Sequence, residues 1–157
     1  MIAAVLATLN DQRRLGETLG LLVPAFVDGL VRQVIIADAG STDATLEIAD
    51  DAGATIVQGD LRAGIEAAKE PWLLLLDPGA RLAPGWDAVL RAHMAGEARA
   101  GVIRLGPRRG LLSRIAPSPA AGLLIRREEI GEGASLAELA RLARRPATLA
   151  IQARLAD

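Results

Sequence analysis

The sequence predicts an α/β protein built on one open, mostly parallel sheet flanked by helices. Three observations carry that prediction. Val34-Ile35-Ile36-Ala37 is a short apolar run ending at Asp38, and Ala39-Gly40-Ser41-Thr42-Asp43 then joins a permissive glycine to residues that favour helix N-caps, with Leu46, Ile48 and Ala49 following at helical spacing. Trp72-Leu73-Leu74-Leu75-Leu76 is a second such run; it also ends in an aspartate, Asp77, and is broken by Pro78-Gly79. Strand-like and helix-like segments alternate up to about residue 98, the pattern of repeated strand-helix-strand units. Open sheets of this kind bind ligands at the carboxyl ends of their strands, so two strands that each deliver an aspartate into a turn point to one polar site on an apolar layer.

The elements follow in order. Residues 2 to 8 read as a buried strand, and Thr8-Leu9-Asn10-Asp11 turns it into a helix carrying Leu15, Leu19 and Leu22, ended or kinked by Pro24. The strand at Val34 and the helix through Ala49 come next, and Gly53 to Val57 forms a third, short strand. Asp60 to Lys69 has the length and alanine content of a helix, weakened by Gly64. Pro71 opens the strand to Asp77, and Leu82 to Trp86 is a loop before a helix over about 86 to 98 with Trp86, Val89, Leu90 and Met94 on one stripe. Beyond Gly101, Val102 to Leu105 and Gly122 to Arg126 read as strands, separated by a basic turn at 106–110 and a proline-containing loop from Arg114 to Ala121. A helix is expected from Ala134 to Arg144, with Ser135 and Glu138 as a capping box, and Thr148 to Gln152 as a last edge strand.

Composition sets the outer bounds. A chain of 157 residues with 51% hydrophobic side chains is the size of one domain with a substantial core. Its 18 basic and 19 acidic side chains, with aromatics at 2%, give neither the electrostatic footprint nor the stacking platforms of a nucleic-acid binder. The absence of cysteine excludes disulfides, thiolate metal sites and a cysteine nucleophile. Ile2 to Ala7 lacks the pattern of a secretory signal and no segment has a spanning length, so a soluble, cytoplasmic protein is expected. No Gly-x-Gly-x-x-Gly follows the first strand, which speaks against a dehydrogenase. His93, alone mid-helix, and the two tryptophans read as packing residues, and Ser41 and Asp43 as helix caps. The cluster Arg104, Arg108, Arg109 and Arg114 reads as a solvated face that is also able to meet a peripheral membrane or a partner protein.

Over roughly residues 2 to 95 the chain resembles the family 2 glycosyltransferases, of the GT-A, Rossmann-like nucleotide-diphospho-sugar transferase type, as a short and degenerate member. Ala7-Thr8-Leu9-Asn10-Asp11 resembles the family's P-T-x-N-E, and Val34 to Asp43 its V-I-V-V-D-x-G-S-T-D. Arg62 to Lys69 resembles A-R-N-x-G-I-x-x-A, and Trp72 to Leu82 its W-x-L-F-L-D-A-D-x-x-L, continued by Pro84-Gly85-Trp86.

The resemblance implies a single domain over 1–157, with a nucleotide-binding half at about 1–98 and a short acceptor-side half at about 99–157. It implies a hexosyl-type transferase acting on a nucleotide-sugar donor, a UDP-sugar first, and on an acceptor the sequence does not specify. Thr8, Asn10, Asp11, Asp38, Gly40, Arg62 and Asp77 would bind the nucleotide, with Asp38 reading the base. Asp77 would hold a divalent cation, Mg²⁺ or Mn²⁺. Two positions depart from the family pattern: Gly79 stands where a second metal carboxylate belongs, and Pro117 to Ala121, where a catalytic base belongs, contains no acid. The cation is therefore expected to be weakly held, and the alternative reading is a catalytically weakened nucleotide-binding or partner-binding module.

Overall fold

The structure is a computed structural model, and it describes residues 1–96, 99–106, 119–132, 135–143 and 145–156. Its centre is a seven-stranded sheet containing β1 (Ile2–Thr8), β2 (Val31–Asp38), β3 (Thr55–Gln58), β4 (Trp72–Leu76), β6 (Gly101–Arg104), β7 (Ala120–Arg126) and β8 (Ala147–Thr148), in the order β3-β2-β1-β4-β7-β6-β8. Only β7 runs against its neighbours among these strands, pairing antiparallel with β4 and β6, so the sheet is mostly parallel as expected. A separate antiparallel pair joins β5 (Ala80–Leu82) to β9 (Ala153–Leu155).

Both faces of the sheet are covered, which is why its central strands read as unbroken apolar runs. Ile2, Ala4 and Leu6 of β1 point with Leu74 and Leu76 of β4 into one core, under α1 (Gln12–Val27), α2 (Thr45–Asp51) and α4 (Trp86–Gly96). Ala3, Val5, Leu73 and Leu75 point into the other, under α3 (Leu61–Ala67) and α5 (Leu136–Leu142). Leu73, Leu74 and Leu75 are wholly buried, each contributing about 1.5–3 kcal/mol of apolar transfer.

Several details differ from the sequence expectation. α1 passes through Pro24 and ends at Val27; the turn leaves through Gly29 at a φ of 69°, while the Pro24 carbonyl still accepts from Asp28 N–H at 2.9 Å. Gly64 is a packing requirement of α3: a Cβ there would lie 2.6 Å from Val5 Cγ1 and 3.1 Å from Ala37 Cβ. The expected edge strand at 148–152 is two shorter ones, β8 and β9, because Leu149 and Ile151 turn into the core between them. The loop expected at 114–121 gives way to β7 at Ala120. Residues 107–118, which include Arg108, Arg109 and Arg114, lie outside the described residues, as do Ala134 and Arg144 of the expected late helix.

The packing roles hold. In the stripe of α4, Trp86 and Leu90 are buried and Val89 and Met94 partly buried against the same core, and His93 ties α4 to the segment before β6 through a 2.9 Å contact between Nε2 and the Arg99 carbonyl. Trp72 and Trp86 are both buried. Ser135 caps α5 by accepting from Glu138 N–H at 3.3 Å. No helix among the described residues is long and apolar enough to cross a membrane.

Candidate functional site

From β1 the chain moves outward to β2 and β3, then returns to lay β4 on the other side of β1. That reversal opens a crevice at the carboxyl ends of β1 and β4, the place where such sheets receive ligands. The sequence-marked residues converge beside it. Thr8 pairs with Asp38 in register at the ends of β1 and β2, and Leu6 pairs with Leu76, so Asp77 leaves β4 beside the end of β1.

Asp38 is buried, and four donors meet its carboxylate. Thr8 Oγ1 donates at 3.0 Å to one oxygen, which also accepts from Ser41 Oγ, while Gly40 N–H at 2.9 Å and Ser41 N–H at 2.8 Å serve the other. Burial alone pushes this carboxyl up. The bonds from Ser41, Gly40 and Thr8 outweigh it and hold Asp38 below the ordinary aspartate range. Gly40 permits the turn, with a φ of 107° and open space where a Cβ would stand.

The loops after β1 and β2 are laced into one unit. Asn10 adopts a φ of 55°, which asparagine tolerates better than most side chains; its N–H donates to Ser41 Oγ at 2.8 Å and its Oδ1 accepts from Thr42 N–H at 2.8 Å. Asp11 N–H donates to Thr45 Oγ1 at 2.9 Å, and Gln12 Oε1 accepts from Ala44 N–H at 3.1 Å. Asp43 accepts from the Thr45 hydroxyl and N–H, the hydroxyl being the main reason its carboxyl titrates below the ordinary value. Ser41 and Asp43 thus serve the loops themselves. Arg62 stands one strand further out, in the first turn of α3, where Nη2 donates to the Gly131 carbonyl at 2.7 Å. Asp60 caps that helix by accepting from Arg62 and Ala63 N–H.

Asp77 has a partner that the sequence reading missed. Arg14, in the first turn of α1, donates from Nη2 to Asp77 Oδ1 at 2.7 Å and from Nη1 to Asp11 Oδ1 at 3.0 Å, so one guanidinium spans the crevice between the β1 and β4 ends. Its side chain and that of Asp77 are each about one third exposed. The turn after Asp77 is pressed against this guanidinium: a Cβ on Gly79 would lie 2.7 Å from Arg14 Nε. Thr18, wholly buried, fixes the same turn to α1 by donating to the Pro78 carbonyl at 2.6 Å. The only sequence signal for Arg14 was its spacing three residues after Asp11 at a helix start.

These residues do not fit the divalent cation that the resemblance implies. Asp77 Oδ1 is taken by Arg14 and by Gly79 N–H at 3.0 Å, and neither Gly79 nor Ala80 supplies a side-chain ligand. A divalent ion on Asp77 would share that carboxylate with the Arg14 guanidinium, and the two cations would repel one another. Among the described residues no group of three or more His, Cys, Asp or Glu side chains is placed to hold a metal ion. Pro119 and the first residues of β7, Ala120 and Ala121, carry no acid, and Pro117 and Ser118 lie outside the described residues. Glu128 and Glu129 follow β7 at the opposite edge of the sheet, because Arg126 pairs with Trp72, the first residue of β4.

No protein-family model matches the chain, and no curated protein matches its sequence. Solved structures do match in shape. A complex of glucosyl-3-phosphoglycerate synthase from Mycobacterium tuberculosis with Mn²⁺, UDP and glucosyl-3-phosphoglycerate superposes at a TM-score of 0.74 with 18% identity, covering 100% of this chain and 72% of that one. The same enzyme with Mn²⁺, UDP and phosphoglyceric acid gives 0.67 with 21% identity, over 83% of this chain and 57% of that one. Its complex with Mn²⁺, UDP-glucose and glycerol 3-phosphate gives 0.67 with 22% identity, over 83% and 58%. In two of these three comparisons the chain therefore spans less than two thirds of its neighbour's length. Strand order, covered faces and these superpositions together give the chain the GT-A fold of nucleotide-sugar glycosyltransferases.

Proposed function

We propose that the chain binds a nucleotide-sugar donor, a UDP-sugar first, along the carboxyl edge of β2, β1 and β4, and transfers the sugar to an acceptor. The observation that carries this reading is the convergence of Thr8, Asp38 and Asp77 at neighbouring strand ends, at the point where strand order reverses. Solved neighbours of the same fold hold UDP or UDP-glucose, which supports the choice of donor.

Asp38 suits a pyrimidine N–H. Two of its four donors are the Thr8 and Ser41 hydroxyls, which can rotate and yield an acceptor site to the base, whereas the N–H groups of Gly40 and Ser41 keep the carboxylate in place. The acceptor side is assigned to about 99–157. A cavity of about 600 Å³ lined by Arg81, Pro84, Gly106, Gln152 and Arg154 lies beside β5, shortly after Asp77, and offers room for it.

Calorimetric titration with a panel of nucleoside diphosphates tests the proposal. UDP is expected to bind, and Asp38→Ala to weaken it by about 1–3 kcal/mol, through loss of a charged acceptor. If no nucleoside diphosphate binds at about millimolar concentration, an affinity of only about 4 kcal/mol, the reading fails. A second reading, a nucleotide-binding module with little turnover, is favoured by the acid-free start of β7 and the engaged Asp77. UDP binding with no measurable donor hydrolysis or transfer would select it.

A further inference from the structure

We infer that Arg14 is the built-in cation of this site, and that its guanidinium, in place of a bound divalent ion, neutralises the diphosphate of the donor. The ligand in this inference rests on the nucleotide-binding reading above; the geometry does not. Arg14 lies across the crevice with one nitrogen on Asp11 and another on Asp77, in the space a cation held by strand-end carboxylates would fill. A guanidinium carries five N–H donors in a fixed fork, and the two carboxylates accept from two of them, which leaves donors for phosphate oxygens on its exposed third.

Gly79 is the complementary half of the exchange. Any side chain there would start 2.7 Å from Arg14 Nε, so a carboxylate at this position and the guanidinium in its present place exclude one another unless Arg14 moves. The turn is not loose. Thr18 holds Pro78 from below, and the Gly79 carbonyl accepts from Ala156 N–H at 2.8 Å, so the close approach of Gly79 to Arg14 belongs to the fold. Asp77 on this account is a positioning residue for Arg14 and ligates no metal.

The test uses the full chain as wild type, Arg14→Gln, Arg14→Lys, Asp77→Asn and the double variant Arg14→Gln with Gly79→Asp, with circular dichroism melts confirming that each folds. UDP is titrated in EDTA and in Mn²⁺, and Mn²⁺ alone is titrated by electron paramagnetic resonance. Wild type is expected to bind UDP within about twofold under the two conditions, and Arg14→Gln to lose about tenfold or more in EDTA, the worth of a charge-assisted bond. Arg14→Lys, which keeps the charge, should recover most of that loss. Asp77→Asn, which loosens the hold on Arg14 and leaves its charge, should weaken UDP by the same factor in EDTA and in Mn²⁺, whereas loss of a metal ligand would weaken it in Mn²⁺ alone. Mn²⁺ alone should bind the double variant and leave wild type unbound.

UDP affinity that depends on Mn²⁺ by tenfold or more in wild type, or is unchanged by Arg14→Gln in EDTA, would overturn the inference. Should no nucleoside diphosphate bind any of the proteins, the proposed function falls and the Mn²⁺ titration decides alone. Binding by the double variant and not by wild type upholds Arg14 as occupant of the cation position; binding by both, or by neither, rejects it.

Discussion

A carboxylate that is buried and yet titrates low ties local structure to acid stability. In Asp38 the ionised form accepts four bonds, so the folded chain favours it more than the unfolded chain does. The sign follows: a lowered folded pKa gives stability that is complete above the ordinary aspartate range and is lost as pH falls through the lowered value. Asp38→Asn can still offer one oxygen to the Gly40 and Ser41 N–H groups, but it sets an NH2 against the Thr8 and Ser41 hydroxyls, which lose the charged acceptor they donate to. It is expected to cost about 1–3 kcal/mol at pH 7, a difference that shrinks as pH falls below the ordinary aspartate range through the lowered value of Asp38. Urea denaturation of both proteins across a descending pH series measures the change. Thr8, Asp38 and Asp77 were legible as a group in the sequence because each ends an apolar run, and strand ends in a parallel sheet align. Arg14 was not. An arginine in a first helical turn reads the same whether it points to solvent or folds across a crevice, and what decides it is the distance to Asp77, which only the pairing of β1 with β4 sets.

Two kinds of helical glycine separate packing from propensity within single elements. Gly16 and Gly20 in α1 are exposed, with nothing within 4 Å of where a methyl group would stand, so alanine at either site is expected to stabilise by about 0.5–1 kcal/mol. Gly64 in α3 has the same propensity and the opposite outcome. Its methyl would meet stiff Val5 and Ala37 on the sheet, and Gly64→Ala is expected to destabilise by about 1–3 kcal/mol as the helix is pushed outward. Thermal melts of the three variants show whether the sign reverses. The sequence carried the existence and order of α1 to α4 and β1 to β4, since long apolar runs and clear breakers mark them. It did not carry β5 and β9. Each is the same three residues, Ala-Arg-Leu, too short to show a period, and they exist because each completes the other's ladder.

At the scale of the molecule, this small ladder ties the last described strand to the turn beside Asp77. Ala80 pairs with Leu155 and Leu82 with Ala153, Ala83 N–H donates to the Gln152 carbonyl at 2.9 Å, and Ala156 N–H reaches the Gly79 carbonyl. A chain stopped at Gln152 should keep the β2-β1-β4 core intact, because none of those strands pairs with β9. It should exchange the amide hydrogens of residues 80–82 tenfold faster or more, read by hydrogen exchange with mass spectrometry; unchanged protection there would show that Thr18 alone holds the turn.

The same clasp imposes an order in time on a growing polypeptide. Arg14, Asp77 and the strands that present them leave the ribosome well before residues 153–156, and at about 5–20 residues per second the interval is roughly 4–15 seconds. Throughout it the Pro78–Ala80 turn lacks its outer fastening. The turn beside Arg14 is thus at its most yielding before the last described strand has drawn it in.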